Sequence, residues 1–304
     1  MSRHILSRMS FQLRHDLCAA NFLNRRQRMH PIKKTFSTVF SRLLGNRLAQ
    51  CVLQRVVVYA NYFMGIGSGA HTDSSGEIRV LHRLAQYGNP PYVIFDVGAN
   101  RGQFLDLVMC EINAALREIH CFEPGRAAYA ALQRSFANTR DVYLNNVGLG
   151  EAQGRAKLYY DEPGSGLASL TKRRLDHFGI FHLSEENVSI DTIDDYCAAK
   201  GIREITLLKI DVEGHELDVL KGARRMFSNN AIAAVVFEFG GGNIDTRTYM
   251  QDYWYFFKEA KMKLFRITPG GYLFPIHSYS EVMEQMVTTN FVANRLGMSR
   301  LQDL

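Results

Sequence analysis

The stretch Val93-Ile94-Phe95-Asp96-Val97-Gly98-Ala99-Asn100-Arg101-Gly102 does most to limit how this chain can fold. It reads as an apolar strand, a turn holding one acid and two glycines, and a helix beginning near Gln103. Open α/β sheets bind ligands in the crevice outside the carboxyl ends of their strands, where such turns lie. Gly98 and Gly102 permit a positive φ or a close backbone approach. A dinucleotide fingerprint needs G-x-G-x-x-G, with a helix N-terminus facing the pyrophosphate. Here the spacing is Asp96-x-Gly98-x-x-x-Gly102, and Asn100 stands where the second glycine belongs. The expected ligand therefore has no pyrophosphate. S-adenosylmethionine, with adenosine and an amino-acid tail but no phosphate, meets that requirement. The missing fingerprint counts against a nicotinamide-dependent oxidoreductase.

The rest of the chain supports a doubly wound sheet. Strands at Tyr92–Asp96, Ile119–Phe122 and Val142–Asn146 alternate with helices from Gln103 to Leu116 and through Tyr129, Leu132 and Phe136. Such alternation means a mostly parallel sheet. The rhythm then changes. Ala156–Tyr160 and Val188–Asp191 read as an antiparallel ribbon around the polar loop Gly164–Leu170, an insertion at about 155–192. Ile205–Ile210 resumes the sheet and ends at Asp211, and a helix follows to about Phe227. Ala233–Phe239 is a further strand, then a helix spans Thr246 to Lys261. Leu264–Ile276 reads as two strands around Pro269-Gly270-Gly271, and Thr289–Ala293 as a last strand.

Charge divides the chain into two parts. Residues 1–60 hold eleven Lys/Arg against the single acid Asp16, about +10, so the remainder is near −4 for a total of +6. The basic character belongs to an N-terminal extension, residues 1–64, and not to the domain at 65–304. This removes the argument for nucleic acid from overall charge and leaves four readings of the arm: a plain extension that covers the domain, a peripheral membrane contact, an acidic-partner contact or a transit peptide. Leu44, Leu48, Cys51, Val52 and Arg55 follow helical spacing, so the second half of the arm is expected to be helical. Charges at Arg3, Arg8 and Arg14 interrupt a secretory signal, and no apolar run reaches the length of a membrane span. Gly65–His71 is either a linker or a ligand-contacting loop, and Ser74-Ser75-Gly76-Glu77 caps a helix at Ile78–Tyr87. The five cysteines form no C-x-x-C pair, which suggests neither zinc nor a disulfide framework and fits a cytoplasmic protein.

Several stretches together resemble the FkbM family of S-adenosylmethionine-dependent methyltransferases. They are Phe95–Gly102, Phe122-Glu123-Pro124, Asn146–Gly150, Ser165–Leu170, Ile190–Ile193, Leu208-Lys-Ile-Asp-Val-Glu-Gly-His-Glu216 and Leu220–Ala223. The resemblance runs from about Gly65 to Ala293. It implies a seven-stranded Rossmann-like sheet with its last strand antiparallel, and O-methylation of a hydroxyl on a glycan, polyketide or related metabolite. N-methylation and a non-catalytic cofactor-binding adaptor are the alternatives.

On this reading Asp96, Gly98, Ala99, Asn100 and Gly102 line the methionine end of the cofactor. Glu123 accepts hydrogen bonds from the ribose hydroxyls, as acids do at the equivalent strand end of dinucleotide folds, and Asn146, Val147 and Gly148 edge the adenine. Methyl transfer to a hydroxyl needs a base for the acceptor proton. His215 has a suitable ordinary pKa, and Asp211 or Glu213 could serve or orient it. The pair Glu213 and Glu216 can equally open a helix, where acids complement the dipole. Asp211 also belongs to the cofactor side of the crevice. Ser165, Ser169 and Glu238 are candidate acceptor contacts. The spacing of these acids demands no metal.

Overall fold

The computed structural model describes residues 40–69 and 76–295. The first 39 residues of the basic arm and the expected Ser74-Ser75 cap lie outside them. The described residues divide into two units between Tyr59 and Ala60.

In the first unit, helix α1 (Arg47–Phe63) begins, and none of its side chains is buried. The second unit opens with α2 (Glu77–Tyr87) and β1 (Tyr92–Val97), which is buried along its whole length. Then come α3 (Gln103–Glu111), β2 (Leu116–Phe122), α4 (Arg126–Phe136), β3 (Val142–Asn145) and β4 (Gly148–Leu149). β5 (Gly154–Tyr160) and β6 (Ser184–Asp191) lead to α5 (Ile193–Lys200) and β7 (Ile205–Ile210). The remainder is α6 (Glu216–Lys221), α7 (Arg224–Ser228), β8 (Ile232–Phe239), α8 (Gly242–Thr246), α9 (Met250–Glu259), β9 (Met262–Ile267), β10 (Leu273–Ile276) and β11 (Thr289–Arg295).

The main sheet has the order β10-β9-β11-β8-β7-β1-β2-β3. β3, β2, β1, β7 and β8 pair in parallel, and β11 lies antiparallel between β8 and β9. The expected parallel core and antiparallel last strand are present, but the sheet has eight strands where the resemblance implies seven. The extra one is β10, which pairs back onto β9 across the turn at residues 268–272. A second sheet, β4-β6-β5, contains the antiparallel ribbon of the insertion.

Alternation along β1 divides it between two cores, because successive side chains of a strand point to opposite faces. Val93, Phe95 and Val97 join one cluster with Phe122, Leu208, Phe237 and Tyr253. Tyr92 and Ile94 join the other with Leu105, Val108, Ile119 and Leu207. Apolar packing on both faces is why the strands read as continuous hydrophobic runs.

Three helix boundaries differ from expectation. α3 stops at Glu111, and a 3₁₀ turn at Asn113–Ala115 leads directly into β2. The helix expected from Asp211 to Phe227 is broken into α6 and α7 at Gly222, where a Cβ would stand 2.0 Å from the Gly150 carbonyl oxygen. The helix expected from Thr246 starts at Met250 instead. Arg247 adopts a left-handed φ of 57°, and the Asp252 carboxylate accepts from the Tyr249 N–H at 2.9 Å to cap the helix start.

β1 is the strand from which the connections diverge: β2 and β3 build out on one side, β7 and β8 on the other. The crevice above β1 and β7 is therefore the topological switch point of the sheet, the place where doubly wound folds bind ligands.

Candidate active site

A cavity of about 880 Å³ opens at that switch point. Among the expected site residues, Gly98, Ala99, Asn100, Glu123, Gly148, Ser165, Ser169, Asp211, Glu213 and Glu238 line it. Asp96, Gly102, Asn146, Val147 and His215 do not.

The turn after β1 is held by backbone geometry. Gly98 has φ 82°, and a Cβ there would fall 1.7 Å from the Asp211 carbonyl oxygen. The glycine thus lets the turns after β1 and β7 touch. Gly102 has φ 98° at the start of α3, where a Cβ would stand 2.5 Å from the Phe136 ring. The glycine thus permits close helix packing, and it does not line the cavity. Between them Asn100 sits in the left-handed region at φ 46°, which asparagine tolerates better than most residues. Its N–H donates to Glu123 Oε2 at 2.9 Å.

Glu123 ends β2. Its Oε1 accepts from the Gly125 N–H at 2.8 Å. Each carboxylate oxygen has two lone pairs, so one remains on each oxygen for a ligand with two adjacent hydroxyls. Burial pushes the Glu123 pKa up to about 7, against the lowering effect of the two backbone donors. Phe122, Pro124, Leu149 and Leu158 provide apolar wall in the same cavity. Asn146 works behind this corner: its side-chain amide donates to the Glu123 and Pro124 carbonyls at 2.9 and 3.0 Å and so fixes the turn. Val147 packs against the core.

Asp96 is fully buried under the crevice, with Lys209 Nζ 3.6 Å away. Burial raises its pKa, an effect that Lys209 opposes. Lys209 Nζ also lies 3.2 Å from Asp211 Oδ2, and it lines the cavity. Burial works against the lysine's charge, but Asp211, Asp96 and Glu77 outweigh it and raise the pKa. Asp96 therefore reaches the cavity through Lys209. Reading the sequence assigns no role to this lysine, although a Lys in the otherwise apolar strand Ile205–Ile210 is itself a signal, because an unpaired buried ammonium is costly.

The turn after β7 is built from side chains. Glu213 adopts φ 52°, a strained backbone for glutamate. Its carboxylate pairs with Arg173, which also lies 3.6 Å from Asp245. Arg173 comes from the insertion and is only 7% exposed; its sequence signal is the cluster Lys172-Arg173-Arg174 in that segment. Ser169 Oγ donates to the Glu213 carbonyl at 2.9 Å, and so pins the insertion loop to this turn. Ser165 Oγ accepts from the Leu167 N–H within the loop. Glu216 serves structure: it accepts from the N–H groups of Val212 and Gly214 and from the Tyr253 hydroxyl.

His215 is held outside the cavity wall. Its Nδ1 lies 2.9 Å from Asp218 Oδ2, and its Nε2 lies 2.9 Å from Thr171 Oγ1. The Asp218 carboxylate can only accept, so Nδ1 carries a proton and a neutral ring uses Nε2 to accept from Thr171. No lone pair is left for an incoming acceptor.

Asp211, Glu213 and Glu238 each present an oxygen, all within 4.8 Å of one another. A divalent cation could bridge such a group, though Lys209 and Arg173 already supply two positive charges beside it. Burial, then Asp211, pushes the Glu213 pKa up to about 8. Burial and the carboxylates of Asp211, Glu213 and Glu216 raise that of Glu238 well above the usual range. Glu213 and Glu238 thus hold their protons more tightly than exposed carboxylates do.

Residues 96–264, more than half of the chain, match the family described as Methyltransferase FkbM domain. The chain is 29% identical over 153 residues to 2-O-methyltransferase NoeI of Sinorhizobium fredii, covering 44% of this chain and 58% of that protein. It is 26% identical over 144 residues to Methyltransferase 1 of Beauveria bassiana, covering 42% and 57%. The matches thus span less than two thirds of either relative. Among solved structures, Methyltransferase FkbM from Methylobacillus flagellatus KT is similar at 18% identity and a TM-score of 0.39, over 66% of this chain and 43% of that one.

Proposed function

The chain belongs to the FkbM methyltransferase family, and from that premise we propose that it transfers a methyl group from S-adenosylmethionine to a hydroxyl of a glycan, polyketide or related metabolite. The observation that carries the reading is the pairing, within one cavity, of Glu123 with the carboxylate group Asp211, Glu213 and Glu238. Glu123 keeps a lone pair on each oxygen for the two ribose hydroxyls. The apolar wall of Phe122, Pro124, Leu149 and Leu158 suits adenine. Ala99 and Asn100, with Lys209 behind them, form the side facing the amino-acid tail.

Bound S-adenosylmethionine supplies an electrophilic methyl on a sulfonium centre. The residues must align a nucleophile with it, exclude water and take a proton. A neutral hydroxyl is a poor nucleophile until a base removes its proton, and a base works best with a pKa near the operating pH. Glu213, raised to about 8, fits that requirement. Arg173 orients its carboxylate, and Ser169 fixes its backbone. His215 positions Thr171 and α6 instead of taking the proton. Arg174, His177, Phe178 and Ser165 on the insertion side of the cavity suit a polyhydroxylated acceptor. The relative NoeI, a 2-O-methyltransferase, supports an oxygen acceptor.

Calorimetric titration with S-adenosylhomocysteine tests the cofactor reading. Saturable binding, with none for NAD, is expected, and folded protein that fails to bind would sink it. Mass spectrometry of candidate glycans incubated with the protein and S-adenosylmethionine tests transfer. Methylation of nitrogen alone would overturn the acceptor class.

A further inference from the structure

Helix α1 is exposed along its length, and a narrow polar side, with the exposed Val57 and Val58 beside it, runs along an otherwise largely apolar surface. Arg47, Gln50, Gln54 and Asn61 recur at helical spacing on one side. Leu48, Val52, Val56 and Tyr59 run along the opposite side and are 80, 60, 56 and 66% exposed. Scattered surface hydrophobics need no explanation, but a continuous stripe of them marks an interaction site.

Charge identifies what the stripe fits. No Asp or Glu occurs between Asp16 and Asp73, and residues 1–60 carry eleven Lys/Arg. Arg42, Arg47 and Arg55 are exposed on or beside the helix. A second copy of the chain would bring the same positive charge to the contact and repel it. An anionic bilayer offers what both features require: negative headgroups for the arginines and acyl chains for the stripe. None of the helices in the described residues is long and apolar enough to cross a membrane, so this helix would lie in the plane of the interface. We propose that α1, with the exposed Arg42, Arg47 and Arg55, docks this protein on the surface of membranes rich in anionic phospholipid. This inference does not depend on the methyltransferase reading.

The test is flotation of the full chain with two kinds of vesicle, pure phosphatidylcholine and phosphatidylcholine with about one third phosphatidylglycerol. Binding to the second only, weakened by added salt, is expected. The double substitution Val52→Asp, Val56→Asp should reduce binding by about tenfold or more. Replacing Arg42, Arg47 and Arg55 by Ser should weaken it about fivefold per charge. All these side chains are exposed, so circular dichroism of each variant should match that of the parent. The proposal is overturned by absence of binding to either vesicle, by equal binding to both, or by binding that survives the Val52 and Val56 substitutions. Light scattering that shows a dimer dissociated by those same substitutions also overturns it, since the stripe would then serve self-association.

Discussion

The turns after β1 and β7 lie side by side, yet they are built in different ways. The first works with backbone: Gly98 and Gly102 at positive φ, and the Asn100 N–H bonded to Glu123. The second has Gly214 at positive φ as well, but adds side chains that the first lacks: Asp211 against Lys209, Glu213 against Arg173, and Glu216 capping the turn from inside. Each has one non-glycine residue in the left-handed region, Asn100 and Glu213. A turn made of backbone can offer shape and fixed dipoles to a ligand common to a whole family. A turn made of ionisable side chains can hold and release protons. On the proposed reading the contrast separates cofactor binding from acceptor chemistry, and substitutions can break that separation or sharpen it.

The largest effect is expected at Gly98, where the two turns touch. Gly98→Ala drives a methyl into the Asp211 carbonyl and forces φ away from 82°. It should cost about 4 kcal/mol or more, seen in denaturant unfolding as a collapse of both cofactor binding and turnover. A variant of near-parental stability would show that the turns are independent.

Glu213→Gln should lower kcat by roughly 10²–10⁴-fold, the usual contribution of a general base, and leave S-adenosylhomocysteine affinity nearly unchanged. The base must be ionised, so parental turnover should rise with pH and level off above about 8. The variant should lose that rise. A pH profile unchanged by the substitution would remove Glu213 from proton transfer.

Glu123→Gln should act on the other side of the division, weakening cofactor binding by about 2–3 kcal/mol through lost charged hydrogen bonds, with less effect on kcat at saturation. Ionised Glu123 accepts from both hydroxyls, and its pKa is about 7 in the free protein. Affinity should therefore increase as pH rises through 7, and calorimetry across that range should find the dependence flattened in the variant.

The smallest effect is expected at His215. His215→Ala removes bonds to Thr171 and Asp218 and should cost about 1 kcal/mol of stability, with kcat falling less than tenfold. A loss as large as that of Glu213→Gln would return His215 to the role of base.

Much of the fold is legible in the sequence because burial on both faces writes each parallel strand as an apolar run. Ile205–Ile210 is read to the residue. Breaks that depend on distant contacts are not legible: the interruption at Gly222 answers to the Gly150 carbonyl, 72 positions earlier. The site shows the same limit. Strand-end acids such as Glu123 and Asp211 announce themselves by position. The orientation of His215 depends on Thr171, and the burial of Asp96 on Lys209, both of which require the folded chain. Arg173 comes from an insertion whose path local pattern does not specify.

The close grouping of Asp211, Glu213 and Glu238 bears on how a catalytic cycle ends. On the proposed reading the donor enters with a positive sulfonium and leaves as an uncharged thioether. With Glu213 ionised, as the base must be, the acidic side of the crevice attracts the first more than the second, because only the first offers a charge to neutralise. The same carboxylates that accept a proton would then favour departure of the spent donor, and so limit product inhibition.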